Sequence, residues 1–132
     1  NLFRKLLQEK LMGENASIVL LSSIMGITGA KGKALYGMTK GALISGARSL
    51  ALELAPKNIR VNCISPGVVE SPMSKNAIYS KDEESLKRVT DMHPLGLGET
   101  KDVAYACIYL LSDASKWITG TNLVIDGGYT AH

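Results

Sequence analysis

Tyr36 and Lys40 stand four residues apart, and Ser23 precedes the tyrosine by 13. On a helix, positions i and i+4 share a face, so the phenol and the ammonium would lie one turn apart. A tyrosine hydroxyl ordinarily titrates near pH 10, too high for proton transfer at neutral pH, and a neighbouring cation favours the phenolate. A serine hydroxyl can orient and polarise a carbonyl oxygen. Together the three side chains could give and take a proton in a carbonyl/alcohol interconversion, with the hydride coming from a cofactor. Spacing alone is weak ground. With five tyrosines among 132 residues and lysines scattered throughout, a Tyr-x-x-x-Lys match arises readily by chance.

Placement adds weight. Ser17 to Leu21 (SIVLL) is short and continuously apolar, the pattern of a strand covered on both faces. Ser23 follows that strand. Tyr36 and Lys40 open a long helical pattern with Leu43, Ile44, Ala47, Leu50, Ala51 and Leu54 on one face, ended by Pro56. Further buried strands are expected over residues 60–64 and 122–125. Between them, Ser65, Pro66 and Gly67 break the chain, and residues 68–98 read as irregular. Ser80 and Glu83 have capping-box spacing, predicting a short helix over about 81–91. Thr100 is expected to cap another helix whose stripe is Val103, Ala104, Cys107, Ile108 and Leu111. Upstream, Leu2, Phe3, Leu6, Leu7 and Leu11 predict a helix over 2–12, stopped at Gly13. Alternating helices and strands point to the α/β class and a parallel sheet of three strands with flanking helices. Ligands bind such sheets beyond the carboxyl ends of the strands, where the segments from Ser22, Ser65 and Asp126 onward stand. No linker divides residues 1–132, so a single domain is expected.

The bulk properties exclude several function classes. A chain of 132 residues, 45% hydrophobic and 20% charged, can bury a core that removes roughly 68% of its unfolded surface from water, so it needs no disulfide or metal as a staple. Cys63 and Cys107 lie in apolar runs, which reads as buried free thiols in a reducing compartment. The net charge of +3 comes from well-mixed residues with no basic cluster, which argues against nucleic acid. No stretch approaches the roughly 18–20 apolar residues that span a bilayer, so no membrane association and a cytoplasmic location are expected. The chain opens at Asn1 inside an uncapped helical stripe, which suggests a polypeptide that begins partway through a larger gene product.

Other features invite chemistry and do not hold it. Gly26, Gly29 and Gly32 are spaced GxxGxxG, not as a dinucleotide or phosphate loop, and read as flexible loop positions. Gly96 and Gly98 precede a helix but follow no strand. His93 and His132 have no Cys or His cluster around them, so no metal is expected. Ser22 or Ser23 as a hydrolase nucleophile would want a GxSxG elbow that LSSIM lacks.

Four features in order carry a family resemblance: Ser23 lying 13 residues before Tyr36, YGMTK, VNCISPGVVESPM, and the ending DVAYACIYLLSDASKWITGTNLVIDGG. The chain resembles the carboxy-terminal half of short-chain dehydrogenase/reductases, most like the 3-oxoacyl-[acyl-carrier-protein] reductase branch. The resemblance implies the carboxy-terminal part of a Rossmann-like doubly wound parallel sheet. The implied function is an NAD- or NADP-dependent enzyme interconverting a ketone and a secondary alcohol. Ser23, rather than Ser22, would bind the substrate oxygen. Tyr36 would be the acid/base, and Lys40 would bind the nicotinamide ribose and favour the Tyr36 phenolate. Pro66 and Gly67 would turn the chain past the nicotinamide, with Val69 (by its backbone) and Ser71 (by its hydroxyl) meeting the carboxamide. Residues 70–97 would form a lid over the substrate. That substrate is a small carbonyl or alcohol, an acyl carrier protein thioester or else a sugar, polyol or hydroxysteroid. A homo-oligomer, dimer or tetramer, is implied, with Gly37, Gly41, Ala42, Gly46 and Ala47 allowing another helix to approach. An enoyl reductase is disfavoured, since that branch usually spaces its tyrosine and lysine seven apart.

The family's glycine-rich cofactor loop and catalytic asparagine have no match here, and Asn1 is not assigned that role. The adenine and pyrophosphate sites therefore have no candidate residues. The strand at 17–21 would lose a neighbour and leave an apolar edge, and the 132 residues alone are expected to bind dinucleotide poorly. The competing readings are an inactive remnant or assembly subunit of such an enzyme, and a hydrolase using Ser23.

Overall fold

The computed structural model describes Lys5 and residues 12–74 and 82–131. A central parallel sheet is built from β1 (Ser17–Leu21), β2 (Arg60–Pro66) and β5 (Asn122–Ile125), in the order β1-β2-β5. The register pairs Ser17 with Arg60 and Leu21 with Ile64, then Cys63 with Asn122 and Pro66 with Ile125. Helix α1 (Ala34–Leu54) joins β1 to β2. Helices α2 (Glu83–Asp91) and α3 (Thr100–Leu111) follow β2. The alternation expected from the sequence is thus present, with three parallel strands in an α/β arrangement.

Alternation along the strands decides which helix each face meets. On β1, Ile18 and Leu20 join the core formed by Ile44, Ala47, Ala51 and Leu54 of α1, together with Ile59, Val61 and Cys63. The stripe predicted for α1 is therefore the one it buries, with Leu43 and Leu50 packed at its edge. The opposite residues turn to α3 and the segment after it: Ser17 Oγ donates to Leu110 O at 2.7 Å, and Asn62 Nδ2 donates to Ile118 O at 3.0 Å. Cys63 is fully buried and unpaired, and Cys107 is a half-buried free thiol. Burial pushes the Cys63 thiol up, with Arg48 pulling weakly the other way, so Sγ stays protonated and donates to Leu43 O.

Several expectations are corrected. Only β2, the central strand, is buried on both faces; β1 and β5 are half-buried, because among the described residues each pairs on one side only. On α3 the buried residue is Leu110, while Ala104, Ile108 and Leu111 face outward. The segment VAYACIYLL is apolar almost all round, so its periodicity could not select the inward face. Glu99, not Thr100, is the cap residue of α3, and the Asp102 carboxylate accepts the Glu99 amide at 2.7 Å. Asp82 caps α2 by accepting from Ser85 N, and that bond holds its carboxyl below the usual range. The predicted cap Ser80 and most of the helix expected over 2–12 fall outside the described residues. The irregular region also holds a short parallel pair, β3 (Val69–Glu70) beside β4 (Gly98–Glu99). Two-residue strands are too short to show a period.

Arg60 anchors the amino-terminal end of the sheet. Its guanidinium donates to Leu110 O at 2.9 Å, Ser115 Oγ at 3.0 Å, Ser112 O at 3.1 Å and Ile118 O at 3.4 Å. The last carbonyls of a helix have no partners of their own, and a cation there also complements the helix dipole. Replacing Arg60 with Met keeps the stem and removes all four charge-assisted bonds, although Leu110 O, Ser112 O and Ile118 O each keep a second donor in Ser17, Ser115 or Asn62. Arg60→Met is expected to lower unfolding free energy by about 2–3 kcal/mol, measured by urea denaturation.

Candidate active site

All three sheet strands run the same way, so their carboxyl ends share one edge. Ser22 N donates to Ile64 O at 2.8 Å and Gly67 N to Ile125 O at 2.9 Å, which draws the three following loops together. Beyond β1 the chain makes a single 3-10 turn, Ile24–Gly26, packed against the first turns of α1.

This packing depends on glycine at three positions. A Cβ at Gly26 would lie 2.9 Å from Gly41 N and Lys40 C, and one at Gly37 would lie 2.9 Å from Met25 O. At Gly41 it would lie 3.3 Å from Gly26 O. Gly26 is therefore a close-approach position rather than a loosely flexible one, while Gly29 and Gly32 do stand in open space. Gly37 and Gly41, expected to receive another helix, instead receive the turn of their own chain. Ala47 lies in the chain's own core.

The contact positions the three candidate side chains. Ser22 is buried, and its Oγ donates to Lys40 O at 2.8 Å, tying the strand end to the helix. Ser23 caps the 3-10 turn: its Oγ accepts the Met25 amide at 3.2 Å. Lys40 Nζ returns to the strand, donating to Leu21 O at 3.0 Å, and sits 5.6 Å from the centre of the Tyr36 ring. Tyr36 is 45% exposed at the mouth of this edge. Serine, tyrosine and lysine thus gather around the end of β1.

The second loop holds the other predicted residues. Pro66 ends β2. A Cβ at Gly67 would lie 2.9 Å from both Asp126 Cα and His93 Nε2, so glycine is required there. Val69 lies in β3 beside Gly98. Ser71 is drawn into the helical turn Pro72–Ser74, where its Oγ accepts from Ser74 N at 3.1 Å. Its hydroxyl therefore serves as a cap in this structure. Sequence reasoning set His93 aside for want of metal partners, yet it is buried with both ring nitrogens engaged. Its position four residues after Val89, at a helix end, was the signal available. Among the described residues no cluster could hold a metal ion.

Asp126 closes the third loop. Its carboxylate accepts from Gly128 N at 3.0 Å, Thr130 N at 2.8 Å and Thr130 Oγ1 at 2.7 Å. Burial alone would raise its pKa, but the bonds from Thr130 and Gly128 outweigh it and hold the carboxyl below the usual range. A depressed folded-state value gives stabilisation that is complete above the ordinary value of about 4 and lost as pH falls through the folded one.

Two predictions follow from these contacts. Gly26→Ala is expected to cost about 1–3 kcal/mol in urea unfolding, against less than about 0.5 kcal/mol for Gly29→Ala. Asp126→Asn is expected to lower stability at neutral pH and to flatten the loss toward acid, so that in a series of urea midpoints the gap between the two proteins narrows as pH falls below the ordinary carboxylate value of about 4.

The chain is similar to known proteins over almost its whole length. The family model described as Enoyl-(Acyl carrier protein) reductase matches residues 1–130. The 3-oxoacyl-[acyl-carrier-protein] reductase FabG of Chlamydia trachomatis is 36% identical over 129 residues, 97% of this chain and 50% of that protein. The 3-oxoacyl-[acyl-carrier-protein] reductase of Rattus norvegicus is 44% identical over 116 residues, 87% of this chain and 45% of that protein. The chain spans about half the length of the curated relatives it matches. Among solved structures, a short chain dehydrogenase family protein from Francisella tularensis superposes with a TM-score of 0.92 at 34% identity, over 99% of this chain and 57% of that one. The 4-hydroxyisoleucine dehydrogenase complexed with NADH gives 0.86 at 33% identity, over 98% and 51%. By sequence and by fold, the chain belongs to the short-chain dehydrogenase/reductase family, a family of oxidoreductases.

Proposed function

We propose that this chain carries the catalytic half of an NAD- or NADP-dependent oxidoreductase that interconverts a ketone and a secondary alcohol. The observation that carries the reading is the gathering of Ser23, Tyr36 and Lys40 at the end of β1. Ser23 Oγ uses a lone pair on the Met25 amide, so its own hydrogen remains to be given to a substrate oxygen. Ser22 has no such freedom, its hydroxyl being spent on Lys40 O. Lys40 spends one of three ammonium hydrogens on Leu21 O, which leaves two for ribose hydroxyls. Its ammonium lies 5.6 Å from the centre of the Tyr36 ring, which puts the cation and the phenol on one side of the site.

In the reduction direction, a bound nicotinamide dinucleotide would supply the hydride to the carbonyl carbon. Tyr36 gives its hydroxyl proton to the carbonyl oxygen while Ser23 holds that oxygen in place; oxidation reverses both transfers. Pro66, Gly67 and Val69 would flank the nicotinamide. Ser71 would join them once its hydroxyl turns from Ser74. Residues 70–97, of which 75–81 lie outside the described residues, would cover the substrate.

The substrate that the relatives favour is a 3-oxoacyl thioester of acyl carrier protein, with a sugar, polyol or hydroxysteroid as the alternatives. A homo-oligomer, dimer or tetramer, fits Leu35, Met38 and Leu52, whose side chains stand exposed on α1, and a cytoplasmic location is proposed with it. No helix among the described residues is long and apolar enough to cross a membrane.

The complete gene product is expected to oxidise NADPH or NADH with acetoacetyl thioesters in preference to sugars and steroids. Tyr36→Phe should lower kcat about 10²–10⁴-fold and Ser23→Ala about 10²-fold, with Lys40→Met also weakening dinucleotide binding. Hydrolysis of the thioester without dinucleotide, undiminished in Tyr36→Phe and lost in Ser23→Ala, would instead favour the hydrolase.

A further inference from the structure

His93 lies outside the Ser23, Tyr36 and Lys40 cluster, is 3% exposed, and is fully engaged. Nδ1 stands 2.7 Å from Val89 O, in the last turn of α2, and Nε2 stands 3.1 Å from Val68 N. A carbonyl can only accept and a backbone amide only donate, so the ring proton belongs on Nδ1 and Nε2 is an acceptor. The imidazole packs against Tyr129 with ring centres 5.0 Å apart.

The residues after His93 continue the same attachment. Gly96 N donates to His93 O at 2.7 Å, Leu95 N to Gly127 O at 2.9 Å, and Gly98 N to Val68 O at 3.1 Å. Val68 is therefore held at both backbone groups by one short segment, the amide by His93 and the carbonyl by Gly98. That segment joins α2 to α3, so the region expected to cover the substrate and the loop after β2 are fastened at Val68 by a backbone bond from Gly98 and by one side chain, the His93 imidazole.

We infer that His93 is a positioning residue: by accepting the Val68 amide hydrogen at Nε2, in the Nδ1–H tautomer alone, it fixes the backbone of Gly67–Val69. That this loop faces the nicotinamide rests on the function proposed above; the clamp itself does not. A space-filling role would be met by any ring of similar volume. A clamp requires an acceptor where Nε2 stands.

Two variants separate these roles in the complete gene product. His93→Phe keeps a ring and lacks the acceptor; the amide oxygen of His93→Gln can take the place of Nε2. Nitrogen-15 spectra of the wild-type imidazole should show Nε2 without hydrogen, and exchange of the Val68 amide should quicken about tenfold in His93→Phe and stay near wild type in His93→Gln. The KM for dinucleotide should rise about tenfold in His93→Phe with kcat changed far less, and return toward wild type in His93→Gln. A hydrogen on Nε2 overturns the proposal. So does equal Val68 exchange in folded His93→Phe and wild type, or equal disturbance by both variants. Should His93→Phe fail to fold, the wild-type spectrum and His93→Gln decide. A wild-type protein indifferent to dinucleotide would refute the proposed function and leave the spectral and exchange outcomes to judge the clamp.

Discussion

The candidate site depends on one steric constraint: the backbone of the Ile24–Gly26 turn lies directly against the backbone of α1. Only hydrogen fits at the α-carbons of Gly26 and Gly37, where a Cβ would come within 2.9 Å of main-chain atoms. Close-packed interiors transmit small displacements, so this contact converts the position of a helix into the position of a strand end. Ser22 and Lys40 then fasten the same junction by hydrogen bonds in opposite directions, hydroxyl to helix and ammonium to strand. Ser23 and Tyr36 inherit their relation from that junction, although they lie on different elements.

The other two loops are held by a different device. Around β3, β4 and the turn after β5, backbone amides that no sheet could satisfy find side-chain acceptors in His93 and Asp126. Buried backbone groups require such partners. Gly67 and Gly127 give the clearance: a Cβ at Gly127 would meet Gly96 O at 2.9 Å. The edge thus contains one junction set by shape and another set by hydrogen bonding.

How much of this was legible in the sequence follows from the range of each signal. The strands at Ser17–Leu21 and Asn122–Ile125 are short local apolar runs and the buried face of α1 is a local periodic stripe, and they appear with the expected bounds and residues. The chemistry of Ser23, Tyr36 and Lys40 was readable as types and spacing, and their common placement followed from parallel topology. The inward face of α3 was not, since Leu110 stands within a run of apolar residues and burial there is decided by β1 and β2. The glycines were misjudged for a similar reason. Gly26 and Gly29 look alike along the chain and differ only in what lies across from them. His93 was tested against metal chemistry, while its role lies with two backbone groups, at Val68 and Val89, that no motif records.

Arg60 stands at the end of the sheet opposite the candidate site and satisfies four acceptors around the close of α3. With Asn62 and Ser115 it gives that end a dense, inward-facing polar network independent of anything beyond the carboxyl edge. Folding and selectivity are therefore entrusted to different ends of the same strands. Substitutions in the covering region can accumulate without loosening the anchor, and mutational drift there can explore new substrates on an unchanged frame.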